Sequence, residues 1–211
     1  MKNICKQLQE RLIDFPESDL PWRVLSDFNS SPWHTSLAQS YPDGLVDREV
    51  YYGENVKIQP YVLFSGQVFI GNNVRIGPYT FIRGPVFIGD NSQIGPHCEI
   101  ARSVIGQDTS ISHKNIIIDS VIGDRVMMGG MSSVCNTPIR REYVQATYNT
   151  VVEKLWGKYG CCIEDDCKIG CLSIFMPGSH LPSKREIIGT CVVCGSGKIT
   201  SMTLSKESLP Q

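Results

Sequence analysis

The stretch FIRGPVFIGDNSQIGPHCEIARSVIGQDTSISHKNIIIDSVIGDRVMMGGMSSVCN, residues 81–136, decides the fold. From Ile82 it divides into six-residue words: IRGPVF, IGDNSQ, IGPHCE, IGQDTS, ISHKNI, IGDRVM and MGGMSS. Two shortened words, IARSV and IIDSV, interrupt the series. The first position is a large apolar residue throughout: Ile82, Ile88, Ile94, Ile100, Ile105, Ile111, Ile117, Ile122 and Met128. The second is often Gly, and the fifth is small or branched, as in Val86, Ser92, Cys98, Thr109, Val126 and Ser132. Neither a helix nor ordinary strand alternation has this period. A coiled parallel solenoid does, with one short strand and one corner per word and three words per turn. First-position side chains fill its interior, and Gly supplies positive φ or close approach near a corner. Turns stack at about 4.8 Å, the spacing of neighbouring strands.

Working outward, words continue back to Tyr52 and return from Ile163 as IEDDCK, IGCLSI and FMPGSH. Cys98 and Cys167 take the small fifth position, which makes them packing residues. The break at about 137–162 is too long for a corner and predicts an excursion loop, with a functional or a subunit-contact role. Residues 51–200 are therefore expected to form the β-helix domain, with 201–211 as a C-terminal tail. Residues 1–50 do not repeat. They predict a helix over Lys2–Ile13, a turn at Pro16 and a short helix at Trp22–Phe28, together capping the open end of the solenoid.

Composition narrows the function. Of 211 residues, 41% are hydrophobic and 19% charged, which supports one folded domain rather than disorder. Lys and Arg total 20 against 21 Asp and Glu, so no basic excess draws the chain to nucleic acid or an anionic membrane. No apolar run reaches the roughly 18 residues of a membrane span. The N-terminal MKNICKQLQERLIDF reads as an amphipathic helix rather than a secretory signal, and a cytoplasmic location is expected. Nine cysteines in a reducing compartment are free thiols by default. Cys191 and Cys194 form one CxxC, but a second clean pair is missing, so no metal site is assigned.

The register also places polar residues. Ile82, Ile100, Ile117 and Val134 begin words three apart, with steps of 18, 17 and 17 residues, and should stack on one face. Their outward neighbours are Arg83, Arg102, Asp119 and Asn136, a column of about 14 Å. His113 lies in the word before Ile117, and Gly130 is stacked one turn beyond it, leaving space above the imidazole as a cofactor-binding position. A histidine, two arginines, a carboxylate and an amide are thus expected to gather beside a glycine gap. Imidazole ordinarily titrates near pH 6.5 and can take a proton from an attacking amine. Arginine forks suit phosphate. Arg102 paired with Asp119 on a solvated face is the plain alternative.

These motifs resemble the hexapeptide-repeat acyltransferases. They resemble most the C-terminal acetyltransferase domain of bifunctional sugar-1-phosphate nucleotidylyltransferases. The resemblance covers roughly residues 52–199 and is sharpest over Ser103–Asn136 and Gly157–Leu181. It implies an all-β, left-handed parallel β-helix that binds acetyl-CoA as co-substrate and acetylates a hexosamine-1-phosphate, glucosamine-1-phosphate in that family. It also implies His113 as base, Arg83 as a phosphate ligand, Asn136 in the substrate site and Lys158 near the acetyl-CoA cleft. A homotrimer is implied, and a separate nucleotidylyltransferase would be a partner. Two positions depart from the pattern: Ile116 stands where the family often has tyrosine, and Ala101 where it often has lysine. These departures favour an alternative class, a non-catalytic β-helix scaffold or regulatory subunit of a sugar-phosphate nucleotidylyltransferase. An acyltransferase with another sugar acceptor is a further alternative.

Overall fold

The computed structural model describes residues 2–11, 18–30, 50–139, 142–195 and 197–201. The parallel β-helix expected from the repeat is present, and it has three faces. Face one is a seven-stranded parallel sheet of two-residue strands: Lys57–Ile58, Arg75–Ile76, Gln93–Ile94, Ser110–Ile111, Met127–Met128, Lys168–Ile169 and Glu186–Ile187. Faces two and three join through the long strands Phe81–Ile88 and Glu99–Ile105, which run round a corner. The predicted stack holds: Ile82 pairs with Ile100, Ile100 with Ile117, and Ile116 with Ser133, the register that sets Ile117 beside Val134. The register slips between Arg83 and Val86, where one word carries the residue that its shortened neighbour lacks.

The interior is a column of apolar side chains. Ile76, Ile82, Ile88, Ile100, Ile105 and Ile122 are fully buried, with Cys98, Cys161, Cys167 and Cys191 packed among them. Burial pushes the Cys161 thiol up to about 12 and raises Cys98 and Cys167 as well, so these thiols act as small apolar groups.

The corners differ from expectation. Positive φ falls mainly on non-glycine residues, such as Asn55, Asn73, Asn91 and Asp108 at one corner and Tyr61, Tyr79, His97 and Lys114 at another. The amides at the first corner bond from turn to turn: Asn55 to Asn73 at 3.2 Å, Asn73 to Asn91 at 3.1 Å and Asn91 to Asp108 at 3.0 Å. The second-position glycines answer a different need, close approach. A Cβ at Gly77 would sit 2.5 Å from the Pro96 nitrogen of the next turn.

The N-terminal helices do not cap the end of the solenoid; they lie along its side. Helix α1 spans Lys2–Arg11 and α2 spans Pro21–Ser30. Proline opens α2, where its missing N–H costs nothing, and the Leu20 carbonyl accepts from Val24 at 3.1 Å. Ile4, Leu8, Trp22, Val24, Leu25 and Phe28 pack on the outward column of face three, Phe69, Phe87, Val104 and Val121. That column is the physical reason for the flank position. A face with apolar residues on both sides needs a cover. Gln7 and Arg11 tie α1 to the corner, at 2.9 Å to Asp124 and 2.8 Å to Asp90. The turn expected at Pro16, the end of the first helix at Ile13 and residues 202–211 of the tail lie outside the described residues.

The excursion folds back on the same face. Val144–Tyr148 and Val151–Leu155 form an antiparallel hairpin around Asn149 and Thr150, with Asn149 at φ 52°. Val144 and Ala146 are buried against the solenoid. The Thr147 amide donates to the Gly178 carbonyl at 3.0 Å, and a Cβ on Gly178 would collide with the Gln145 backbone. The Asn149 amide donates to Nδ1 of buried His180 at 3.3 Å, and His180 Nε2 lies 3.2 Å from Glu164 Oε1. The adjacent imidazole, followed by bonds from Ser183, holds the Glu164 carboxyl well below the usual carboxylate range despite partial burial.

Candidate functional site

His113 is exposed at the corner between faces one and two. The chain turns there because Lys114 takes φ 55°. Its neighbours fix the ring. Ser112 Oγ lies 3.1 Å from Nδ1, and the ring lies over Gly130, where an added Cβ would come within 2.7 Å of Nε2. The glycine therefore does not leave a gap above the imidazole. The imidazole occupies that space itself, and only glycine permits it.

Arg102, Asp119 and Asn136 form the predicted ridge at the corner between faces two and three. Arg102 makes a fork to Asp119, 2.6 Å from Nε to Oδ1 and 2.8 Å from Nη2 to Oδ2. Asn136 Nδ2 donates to Asp119 Oδ2 at 2.6 Å. Asp119 is buried, and the fork raises the already high Arg102 pKa further. Arg83 stands one turn before Arg102 and donates instead to Glu99, 3.1 Å from Nη2 to Oε1. Both arginines thus hold carboxylates of their own chain.

The expected gathering of all five groups does not occur within one chain. His113 and the ridge lie at opposite edges of face two, with about 10 Å of extended strand between them. The reason lies in the words themselves: His113 precedes its strand and Asp119 follows it, so the full strand Ile116–Ile118 separates them. Glu99 and Ile116 occupy the middle of that face, in register with each other. Lys158 is on the ridge side. It lines a cleft of about 650 Å³ between α2 and the hairpin, with Trp22, Arg23, Asp119 and Trp156. The Tyr159 amide donates to the Asn136 carbonyl at 3.2 Å and that of Gly160 to the Asp119 carbonyl at 2.7 Å, which fixes this segment beside the ridge.

Three features escaped the sequence reading. Ser112, which holds Nδ1, was adjacent to His113 but had no motif to mark it. Glu99, which engages Arg83, is sixth in its word and outward. The apolar column of face three was legible, since Phe69, Phe87, Val104 and Val121 recur one residue before a first-position Ile. That recurrence signals a covered face.

Residues 64–156 match the family model described as GMPPB C-terminal domain, less than half of the chain. The bifunctional protein GlmU of Methanococcus aeolicus is 27% identical over 111 residues, covering 53% of this chain and 27% of that protein. The chain thus spans about a quarter of the length of the curated relative it matches. Among solved structures, a hexapeptide transferase family protein from Anaplasma phagocytophilum is 16% identical, with 76% of this chain and 83% of that chain covered and a TM-score of 0.34. A perosamine N-acetyltransferase from Caulobacter crescentus, solved with CoA and GDP-perosamine, is 12% identical, with coverage of 72% and 57% and a TM-score of 0.33. The chain carries hexapeptide repeats and is similar to GlmU over about half of its length.

Proposed function

We propose that this protein is an acetyl-CoA-dependent N-acetyltransferase acting on a sugar phosphate, with glucosamine-1-phosphate as the acceptor. The observation that carries the reading is the seating of His113, an exposed imidazole held by Ser112 on one side and by Gly130 on the other. With Nδ1–H donated to Ser112 Oγ, Nε2 keeps its lone pair. The acceptor ammonium gives up one proton to solvent, and Nε2 takes a second from the amine nitrogen as that nitrogen attacks the thioester carbon. The tetrahedral intermediate then collapses, the C–S bond breaks, and the imidazolium returns the proton to the CoA thiolate. The similarity to GlmU supports this class of chemistry.

The acceptor would lie across face two. Its amine meets His113, and its phosphate, on the neighbouring ring carbon, is met by the Arg83 side chain, which leans inward over the face to Glu99. Arg102, Asn136 and Lys158 stand on the far side. A homotrimer with the acyl donor between neighbouring chains supplies the site from two copies and reconciles the separation seen in one. An exposed apolar strip beside the histidine corner suits such a contact: Tyr61, Leu63, Tyr79, Ile116, Leu172 and Ile174.

The scaffold reading has one specific observation in its favour. Arg102 is held by a fork to Asp119 and Arg83 donates to Glu99, so both guanidiniums are already engaged by carboxylates of the chain. Thiol release from acetyl-CoA, measured with glucosamine-1-phosphate for wild type and His113→Ala, separates the two. Turnover that needs both the sugar and His113 is expected, with a loss of about 10²–10⁴-fold in the variant. A folded protein that releases no thiol with any amino-sugar phosphate would favour the scaffold.

A further inference from the structure

Face one carries an outward column that the reading above leaves unused. The paired strands align Lys57, Arg75, Gln93 and Ser110 side by side on successive turns. They line a groove of about 480 Å³ that ends at Ser112 and His113. Every polar side chain along it can donate a hydrogen bond, and none of its lining residues is Asp or Glu.

The other end of the same column is different. There Lys168 is matched by Glu186, 2.8 Å away on the next turn. Elsewhere Arg11, Arg83, Arg102 and Arg125 each meet a carboxylate within 3.1 Å. Among the described residues no carboxylate lies within ion-pair distance of Lys57 or Arg75. Two cations one turn apart, about 4.8 Å between strands, repel each other where a glutamate at the position of Gln93 would have calmed both.

We infer that Lys57 and Arg75 form an anion site for a phosphate ester or pyrophosphate group, with Gln93 and Ser110 continuing the donor row toward His113. A guanidinium fork and an ammonium one turn apart embrace a single phosphate, and the amide and hydroxyl beyond it meet the uncharged part of the same ligand. The cations are two and three turns from the histidine level, about 10–15 Å along the axis. A ligand anchored at the cations by its phosphate can therefore present a reacting group at the imidazole. Both the acyl donor and a phosphorylated acceptor carry such a group. Which of them binds here rests on the acetyltransferase reading; the anion site itself does not.

The test uses the whole chain and inorganic pyrophosphate as the probe. Calorimetric titration of wild type and of the Lys57→Ala/Arg75→Ala double variant should give at least tenfold weaker binding in the variant. Lys168→Ala should bind the probe as wild type does, since Glu186 already engages that lysine at 2.8 Å. Pyrophosphate that fails to bind wild type, or binds the double variant equally, overturns the proposal. In the thiol-release assay, a KM raised for acetyl-CoA assigns the site to the donor, and one raised for the sugar phosphate assigns it to the acceptor. Should wild type release no thiol, the acetyltransferase reading fails while the titration still decides the anion site.

Discussion

At Gly130 one methyl group decides where His113 can sit. An alanine there would place Cβ 2.7 Å from Nε2 and 2.8 Å from Cε1, well inside contact distance, so the ring must swing out. The backbone at Gly130 has no left-handed requirement, and the substitution leaves the strands on either side intact. Gly130→Ala should therefore lower acetyl transfer at least tenfold, in the direction of His113→Ala, with an unchanged thermal melt; wild-type kinetics would show that the ring position is immaterial. The register made this neighbourhood legible, because a fixed word length says which residue stands above which. It did not say that the ring leans onto Gly130 rather than away from it, since one χ rotation separates the two and words carry no rotamers. The same limit applies to Arg83. Its place on the edge was readable, but its turn toward Glu99 depends on a side-chain torsion.

The helices and the hairpin are elements the repeat does not encode, and each is held by contacts that can be removed singly. Phe28 is fully buried between α2 and face three. Phe28→Ala should cost about 3–5 kcal/mol in urea denaturation, with exposed Phe69 and Phe87 promoting aggregation. The hairpin is anchored through His180 and Glu164. Because the folded Glu164 carboxyl is held below its unfolded value, its contribution is complete above the ordinary glutamate pKa of about 4.3 and is lost as pH falls toward the folded value. Glu164→Gln removes that contribution. The stability gap between wild type and variant should be widest at neutral pH and close on acidification below about pH 4, in urea titrations run from pH 7 to pH 3. A gap constant over that range would mean that the carboxylate charge is not what holds the anchor. The placement of these elements was missed for a physical reason. Amphipathicity in MKNICKQLQERL says that the helix has an apolar side, not which apolar surface receives it. Only the outward Phe, Phe, Val, Val series on face three settles that, and it is spread over more than fifty residues of sequence.

For the molecule as a whole, each turn contacts mainly the turn before and after, so stability accumulates along the axis. The solenoid was the most legible part of the chain, because the period of six appears more than a dozen times and one slipped word would put isoleucines into water. The polar site was less so, since the sequence orders residues along one chain while the proposed chemistry draws on more than one copy. Light scattering after size exclusion should give three times the chain mass; a monomer would remove the shared site. The side helices bear on this in another way. A bare three-sided prism offers three similar walls and many ways to lean on its own kind. Here one wall is sealed by α1, α2 and the hairpin. The two left are unlike, one bearing Lys57 and Arg75, the other Leu63, Ile116 and Ile174. Any closed ring of identical members needs each to have a left hand and a right hand. By taking one wall out of use, a stretch with no repeat of its own leaves the molecule with two hands that cannot be confused.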